Sequence, residues 1–251
     1  MTDRWRVAAN LATLANACVG VGAIVYTVAG NRLWGLLLII CGIAFDGMDG
    51  LFSRRSPSVS RGFGRIADSI ADAITFGLAP ATIVLVHTND TPLWNQFTLE
   101  AWVVASLYFA LAVARLSYFT VRGYHRPDFL GAPTPQSALA VVIVVLALDY
   151  PAFLGTTPPL FFGLIAVIAI LMVLPISFPK IRRGNPLRPV SIVTGIALVV
   201  ALVPLQFRPA PGSFFFELAG VASAIAAVGI LMYYVWGPHT VAPVTPVAGG
   251  S

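Results

Sequence analysis

Eight apolar runs, each near the length of a bilayer crossing, leave this chain few ways to fold. They cover roughly 7–29, 33–53, 66–87, 98–121, 135–149, 158–178, 189–206 and 213–236. About 20 consecutive apolar residues span the hydrocarbon core as a helix. Only 10% of the residues are charged, against roughly 25% in a soluble domain. The reading is therefore all-α: a polytopic transmembrane bundle of about eight helices, each satisfying its own backbone polar groups. A soluble globular domain and a disordered chain are excluded. The net charge of +5 does not imply a nucleic-acid partner, because the basic residues form short clusters between apolar runs rather than one solvated patch. Cys18 and Cys41 lie inside apolar runs. They offer neither a disulfide framework nor a zinc spacing, and read as buried thiols. The first run is too long and too rich in Asn and Thr for a cleaved signal peptide. Residues 1–236 read as one transmembrane domain. Residues 237–251, rich in Gly, Pro and Thr, read as a flexible tail.

Basic residues set the expected orientation. Thirteen of the 15 fall before the first run, between the second and third, at or after the end of the fourth, and between the sixth and seventh. Only Arg32 and Arg208 fall on the other side. Cytoplasmic loops carry the excess of Lys and Arg. Both termini and the 54–65 loop are thus expected in the cytoplasm.

The ten acids are unevenly placed. Asp3, Asp90 and Asp128 fall in loops, and Glu100, Asp149 and Glu217 near outer helix ends, where a carboxylate reaches headgroups or water. Asp46, Asp49, Asp68 and Asp72 share one window at the cytoplasmic ends of helices 2 and 3. Acids at such depth require a partner or a cation. Asp46 and Asp49 are i, i+3, and Asp68 and Asp72 are i, i+4, so each pair projects from one helical face. Four converging carboxylates form an all-oxygen site for a hard divalent ion. They suffice for two ions about 3.5–4 Å apart, the arrangement that handles displacement at phosphorus. The competing structural reading pairs these acids with Arg54, Arg55, Arg61 and Arg65. The glycines interleaved with the acids, Gly47 and Gly50, argue against it, because glycine weakens a helix and allows close ligand approach. The adjacent arginines also suit phosphate.

The window Asp46-x2-Asp49-Gly50-x2-Ser53-Arg54, then nine residues, then Gly64-x3-Asp68-x3-Asp72, resembles the signature of the CDP-alcohol phosphotransferase family. The flanks resemble the integral-membrane phosphatidylserine synthases within that family. These are Asn10-x2-Thr13-x2-Asn16, Phe76-Gly-Leu-Ala-Pro80-Ala, Ala114-Arg115-Leu, Gly131-Ala-Pro133-Thr-Pro135, Leu171-Met-Val173 and Phe178-Pro-Lys180. The similarity runs from about residue 9 to residue 180. It implies a six-helix family core at about 7–180, with two further helices at about 189–236. Ala9 replaces a usual Pro and Ser53 a usual Ala. The spacer is one residue longer than usual; reading Arg55 as the motif arginine restores it but breaks the spacing within helix 2.

The resemblance implies an enzyme of a prokaryotic cytoplasmic membrane, its active site facing the cytoplasm. It would transfer a phosphatidyl group from CDP-diacylglycerol to L-serine and release CMP. It implies two divalent ions, Mg²⁺ or Mn²⁺, held by Asp46, Asp49, Asp68 and Asp72, with Asp72 also the general base. Gly50, Ser53, Arg54, Gly64, Asn10 and Thr13 would line the CDP and phosphate pocket. For Asn10, Thr13 and Asn16, hydrogen bonding between helices is an equal alternative. Arg115 lies one to two turns inside helix 4, where an arginine needs an anion or an aqueous cavity. It is a candidate for the acceptor carboxylate or a lipid phosphate, with snorkelling to the interface as the alternative, and Arg61 and Lys180 are weaker candidates. A homodimer is a family expectation. The alternatives are another acceptor (glycerol phosphate or an inositol phosphate), an ether-lipid donor or, distantly, a cation transporter.

Overall fold

The computed structural model describes residues 2–53, 63–90, 92–122, 129–149, 157–179, 185–207, 209–210 and 212–240. In chain order the helices are α1 (Thr2–Val28), α2 (Arg32–Ser53), α3 (Phe63–Asp72), a π-helical turn (Ala73–Leu78), α4 (Ala79–Asp90), a 3₁₀ segment (Pro92–Phe97), α5 (Thr98–Arg122), α6 (Thr134–Asp149), α7 (Pro158–Leu171), α8 (Arg188–Leu205) and α9 (Phe214–Trp236). A short 3₁₀ turn, Gly237–Thr240, follows α9. Two short strands, β1 (Phe129–Leu130) and β2 (Ser177–Phe178), pair antiparallel. The protein is an all-α polytopic bundle. Among the described residues, five stretches are long and apolar enough to cross a membrane: Val7–Val28, Gly64–Asn89, Thr98–Val121, Arg188–Leu205 and Phe214–Thr240. Thr134–Ala147 and Pro158–Leu171 are shorter apolar helices.

Small residues bring the helices together. On α5, Ala101, Ala105 and Ala112 are fully buried, as are Ala219 and Ala226 on α9. Without a hydrophobic driving force between helices in lipid, the close packing that such residues allow is one of the forces that associates them. The opposite faces are bulky and apolar. Val21, Val25, Trp102, Val103, Ile225 and Val228 are exposed, as lipid-facing residues are. Cys18, expected to be buried, is exposed on α1 and Cys41 is half-buried. A thiol behaves as a small hydrophobe, so hydrocarbon accepts it as a protein core does. Helix hydroxyls turn inward: Thr27 donates to the Ala23 carbonyl (2.7 Å), Thr88 to Val84 (2.9 Å) and Ser223 to Ala219 (2.8 Å). None needs water.

The sixth apolar run is helical only as far as Leu171, not to residue 178. Pro175 has no amide with which to extend the helix. The segment after α5 supplies amides instead: Ala132 donates to the Leu171 carbonyl and Gly131 to that of Ile176, both at 2.8 Å. Gly131 has a φ of 75°, a conformation that favours glycine. A side chain there would collide with the Met172 carbonyl. Irregular backbone is tolerated at membrane depth when buried in protein.

The third run is a single helix interrupted by the π-turn. Ala79 donates to the Ile74 carbonyl, five residues back. Pro80 comes next and has no N–H for a carbonyl of the preceding turn. The Tyr108 hydroxyl fills part of that shortage, donating to the Phe76 carbonyl at 3.1 Å. Tyr108 and Phe76 are both fully buried. Tyr108→Phe is expected to cost about 1–2 kcal/mol, the loss of a bond to a buried carbonyl. The check is the thermal midpoint of the purified protein in detergent.

The end of the bundle away from the clustered acids is closed by an Arg32–His87 contact. His87 meets Trp94 edge-on at 5.6 Å, and Phe161 packs on both rings.

Candidate active site

Asp46 lies near the end of α2, and Asp68 and Asp72 lie on successive turns of α3. Both helices belong to the layer packed against α1. Carboxylate oxygens of Asp46, Asp68 and Asp72 all lie within 4.8 Å of one another. Asp72 is buried, at 8% exposure, while Asp46 and Asp68 are half-buried. The cluster is therefore graded, closed at Asp72 and accessible at the other two. Like charges this close repel unless a cation offsets them. The donor set consists of hard oxygens at a spacing that one divalent ion, with bonds of about 2.0–2.6 Å, bridges with little movement. The residues present thus fit a divalent metal.

Asp72 is held from behind. The Asn16 side-chain amide donates to Asp72 Oδ1 at 3.0 Å. Asn16 is fully buried, and its own backbone carbonyl accepts from Thr75 Oγ1 at 2.8 Å. The π-turn brings Thr75 to this position, one turn after Asp72. Gly42 makes room, because a Cβ there would strike the Thr75 methyl and approach Asn16 Oδ1. Of the two readings open for Asn16, interhelical bonding is the one observed, and the partner is a site residue.

Arg115 faces the cluster from α5. It is 7% exposed and close enough to Asp72 and Asp46 to interact with both electrostatically. Its Nη1 donates to Thr134 Oγ1 at 2.6 Å. The guanidinium carbon lies 5.7 Å from the ring centre of Phe119 and 5.5 Å from that of Phe129, within cation–π range. Among the described residues its Nε is buried without a hydrogen-bond partner. A buried donor left unmatched is costly, and an anionic ligand would match it.

Other expected site residues divide into two groups. Gly64 lies in the first turn of α3, one turn before Asp68. Thr13 is half-buried and bonds the Ala9 carbonyl at 3.2 Å, and Asn10 is exposed. The backbone of Asp49, Gly50 and Ser53 continues α2, but their side chains lie outside the described residues, as do Arg54, Arg61 and Lys180. Sequence reasoning missed Thr75, Tyr108 and the Thr134 hydroxyl as supports of the site. Only Pro80, four residues after Phe76, carried a signal for any of them.

Residues 6–203 match the family model described as CDP-alcohol phosphatidyltransferase. The chain is 29% identical over 220 residues to a CDP-diacylglycerol–serine O-phosphatidyltransferase of Helicobacter pylori, covering 79% of this chain and 90% of that protein. It is 28% identical over 173 residues to an archaetidylserine synthase of Methanothermobacter thermautotrophicus, covering 68% and 69%. It is 35% identical over 109 residues to a CDP-diacylglycerol–serine O-phosphatidyltransferase of Methanocaldococcus jannaschii, covering 42% and 47%. With most of its length matched, and with three aspartates of the expected signature gathered in one site, the chain belongs to the CDP-alcohol phosphatidyltransferase family and is a membrane-embedded enzyme.

Proposed function

We propose that this enzyme transfers the phosphatidyl group of CDP-diacylglycerol to the hydroxyl of L-serine, releasing CMP. The observation that carries this reading is the pairing of a carboxylate cluster with a buried arginine whose Nε lacks a partner among the described residues. The serine acceptor is supported by the relatives named for serine transfer. The transporter reading has no comparable support.

Asp46, Asp49, Asp68 and Asp72 would hold the divalent ions, Mg²⁺ or Mn²⁺, two in number. Bound there, such ions neutralise the diphosphate and stabilise the departing CMP. Asp72 takes the proton of the acceptor hydroxyl. Asn16 occupies one of its oxygens and leaves the other for that proton. The serine oxygen forms a bond to the phosphatidyl phosphorus, and the bond from that phosphorus to the CMP oxygen breaks. Arg115 receives the serine carboxylate. Gly50, Ser53, Arg54, Gly64, Asn10 and Thr13 line the nucleotide side, with Arg61 and Lys180 at the rim. A groove of about 410 Å³ along α3, the π-turn and α5, lined by Ile66, Ile70, Ile74, Leu78, Phe109 and Val113, suits an acyl chain. The site faces the cytoplasm, with both termini on that side, in a prokaryotic cytoplasmic membrane, and the enzyme works as a homodimer.

The test is a reconstitution. Purified protein receives CDP-diacylglycerol, Mn²⁺ or Mg²⁺ and a panel of alcohols, with CMP release and lipid mass as readouts. Serine-dependent release that chelation abolishes is the expected result. Release with glycerol phosphate or an inositol phosphate instead moves the acceptor. Metal-dependent release from no alcohol at all sinks the reading. The likeness to an archaetidylserine synthase supports a second donor, so an ether-linked CDP lipid belongs in the same panel.

A further inference from the structure

The last helix, α9, lies beyond the residues matched by the family model, yet its final turns reach the residues around Arg115. The Tyr234 hydroxyl is 3.1 Å from Ser137 Oγ. Ser137 stands three residues after Thr134, the residue that holds Arg115. Residues three apart on a helix are neighbours on one face. The first turn of α6 thus carries the guanidinium on one rung and the phenol on the next. Thr134 and Ser137 are both fully buried. Tyr233 and Tyr234 each lie within electrostatic reach of Arg115.

The surroundings hold this pair in place. Tyr233 donates to the Pro179 carbonyl at 3.4 Å. Phe178 stacks on Tyr233 and meets Tyr234 edge-on, each with ring centres 5.8 Å apart. Phe178 pairs with Phe129 across the two-stranded ladder, and Phe129 is one of the two rings beside Arg115. One connected group therefore links α9 to the arginine through both α6 and the ladder.

A buried cation whose Nε has no hydrogen-bond partner among the described residues, within electrostatic reach of a phenol that both donates and accepts, suits a ligand carrying both charges. We propose that Tyr234 is an acceptor-binding residue selecting a small zwitterionic alcohol: Arg115 takes its carboxylate, and the Tyr234 oxygen accepts a hydrogen bond from its ammonium. This rests on the reading of Arg115 as the acceptor site, and gives the C-terminal helix a part in specificity.

The test titrates the full-length enzyme with L-serine, using 3-hydroxypropionate as competitor. That compound keeps the hydroxyl and the carboxylate but lacks the ammonium. Tyr234→Phe keeps the ring and its packing and removes only the hydroxyl. The expected result is a KM for serine raised roughly 10- to 100-fold, the usual worth of one hydrogen bond to a charged group. The inhibition constant of 3-hydroxypropionate and the KM for CDP-diacylglycerol stay unchanged. Ser137→Ala, which frees the phenol without removing it, shifts the serine KM in the same direction by less. An unchanged serine KM in Tyr234→Phe overturns the proposal, and so does an equal loss of affinity for 3-hydroxypropionate. If the wild type uses another alcohol and not serine, the serine reading falls and the zwitterion claim with it. The same titration with that alcohol then decides whether Tyr234 lines the acceptor pocket: a raised KM keeps it there, and an unchanged KM removes it. Release from no alcohol overturns both.

Discussion

Asp72→Asn is expected to lower metal-dependent CMP release by about 10³-fold or more, near the upper range for loss of a general base. The substitution preserves shape and removes the charge that both the proton and a cation need. The fold should persist, because an amide oxygen at the same place still accepts from Asn16. The measurement is CMP release at saturating serine and metal, together with the thermal midpoint. A wild-type midpoint with no turnover is the expected pair of results. Turnover above a tenth of the wild-type rate would remove Asp72 from its role as base.

The second large effect is expected at a residue that touches no substrate. Asn16→Leu removes the amide that donates to Asp72 Oδ1 at 3.0 Å and keeps much of the volume. A hydrogen bond to a charged group is worth about 1.5–3 kcal/mol, so kcat should fall by roughly 10- to 100-fold. The KM values for CDP-diacylglycerol and serine should hold, because the fault lies in the aim of the base. Thr75→Val, which releases the Asn16 backbone from the π-turn, should shift kcat in the same direction by less, and Thr75→Ser should restore it. Falls in kcat matched by rises in both KM values would instead mean general collapse of the site.

The parts of this protein that were legible in its sequence are those fixed by local geometry. The eight apolar runs became helical segments because a chain in hydrocarbon has to satisfy its own backbone. Asp68 and Asp72 reached one face because four residues make about one turn, and Asp46 joined them as the signature implied. What remained hidden depends on distant contacts. Arg115 announced its need for a partner, but nothing local showed that Thr134 and Phe129 would supply one. Asn16 was one of several polar residues on α1 until Asp72 was seen beside it. The early end of α7 at Leu171 required Gly131 and Ala132 to come within hydrogen-bonding distance. Tyr234 lay in a helix outside the resemblance altogether.

The π-turn has a consequence for how this chain tolerates change. It absorbs one residue more than a regular helix would need, so the angular relation between Asp72 and Pro80 depends on how many residues separate them. Seven do. Losing one would let the helix close into its ordinary form with its two halves keeping nearly the same angular relation, whereas adding one would rotate one half against the other by about 100°, one residue's share of a 3.6-residue turn. With Tyr108 holding Phe76 in place, the rotation would fall on the aspartates. Chain length between these two landmarks is thus constrained independently of which side chains occupy it, and a single insertion there should be harder to tolerate than a single deletion.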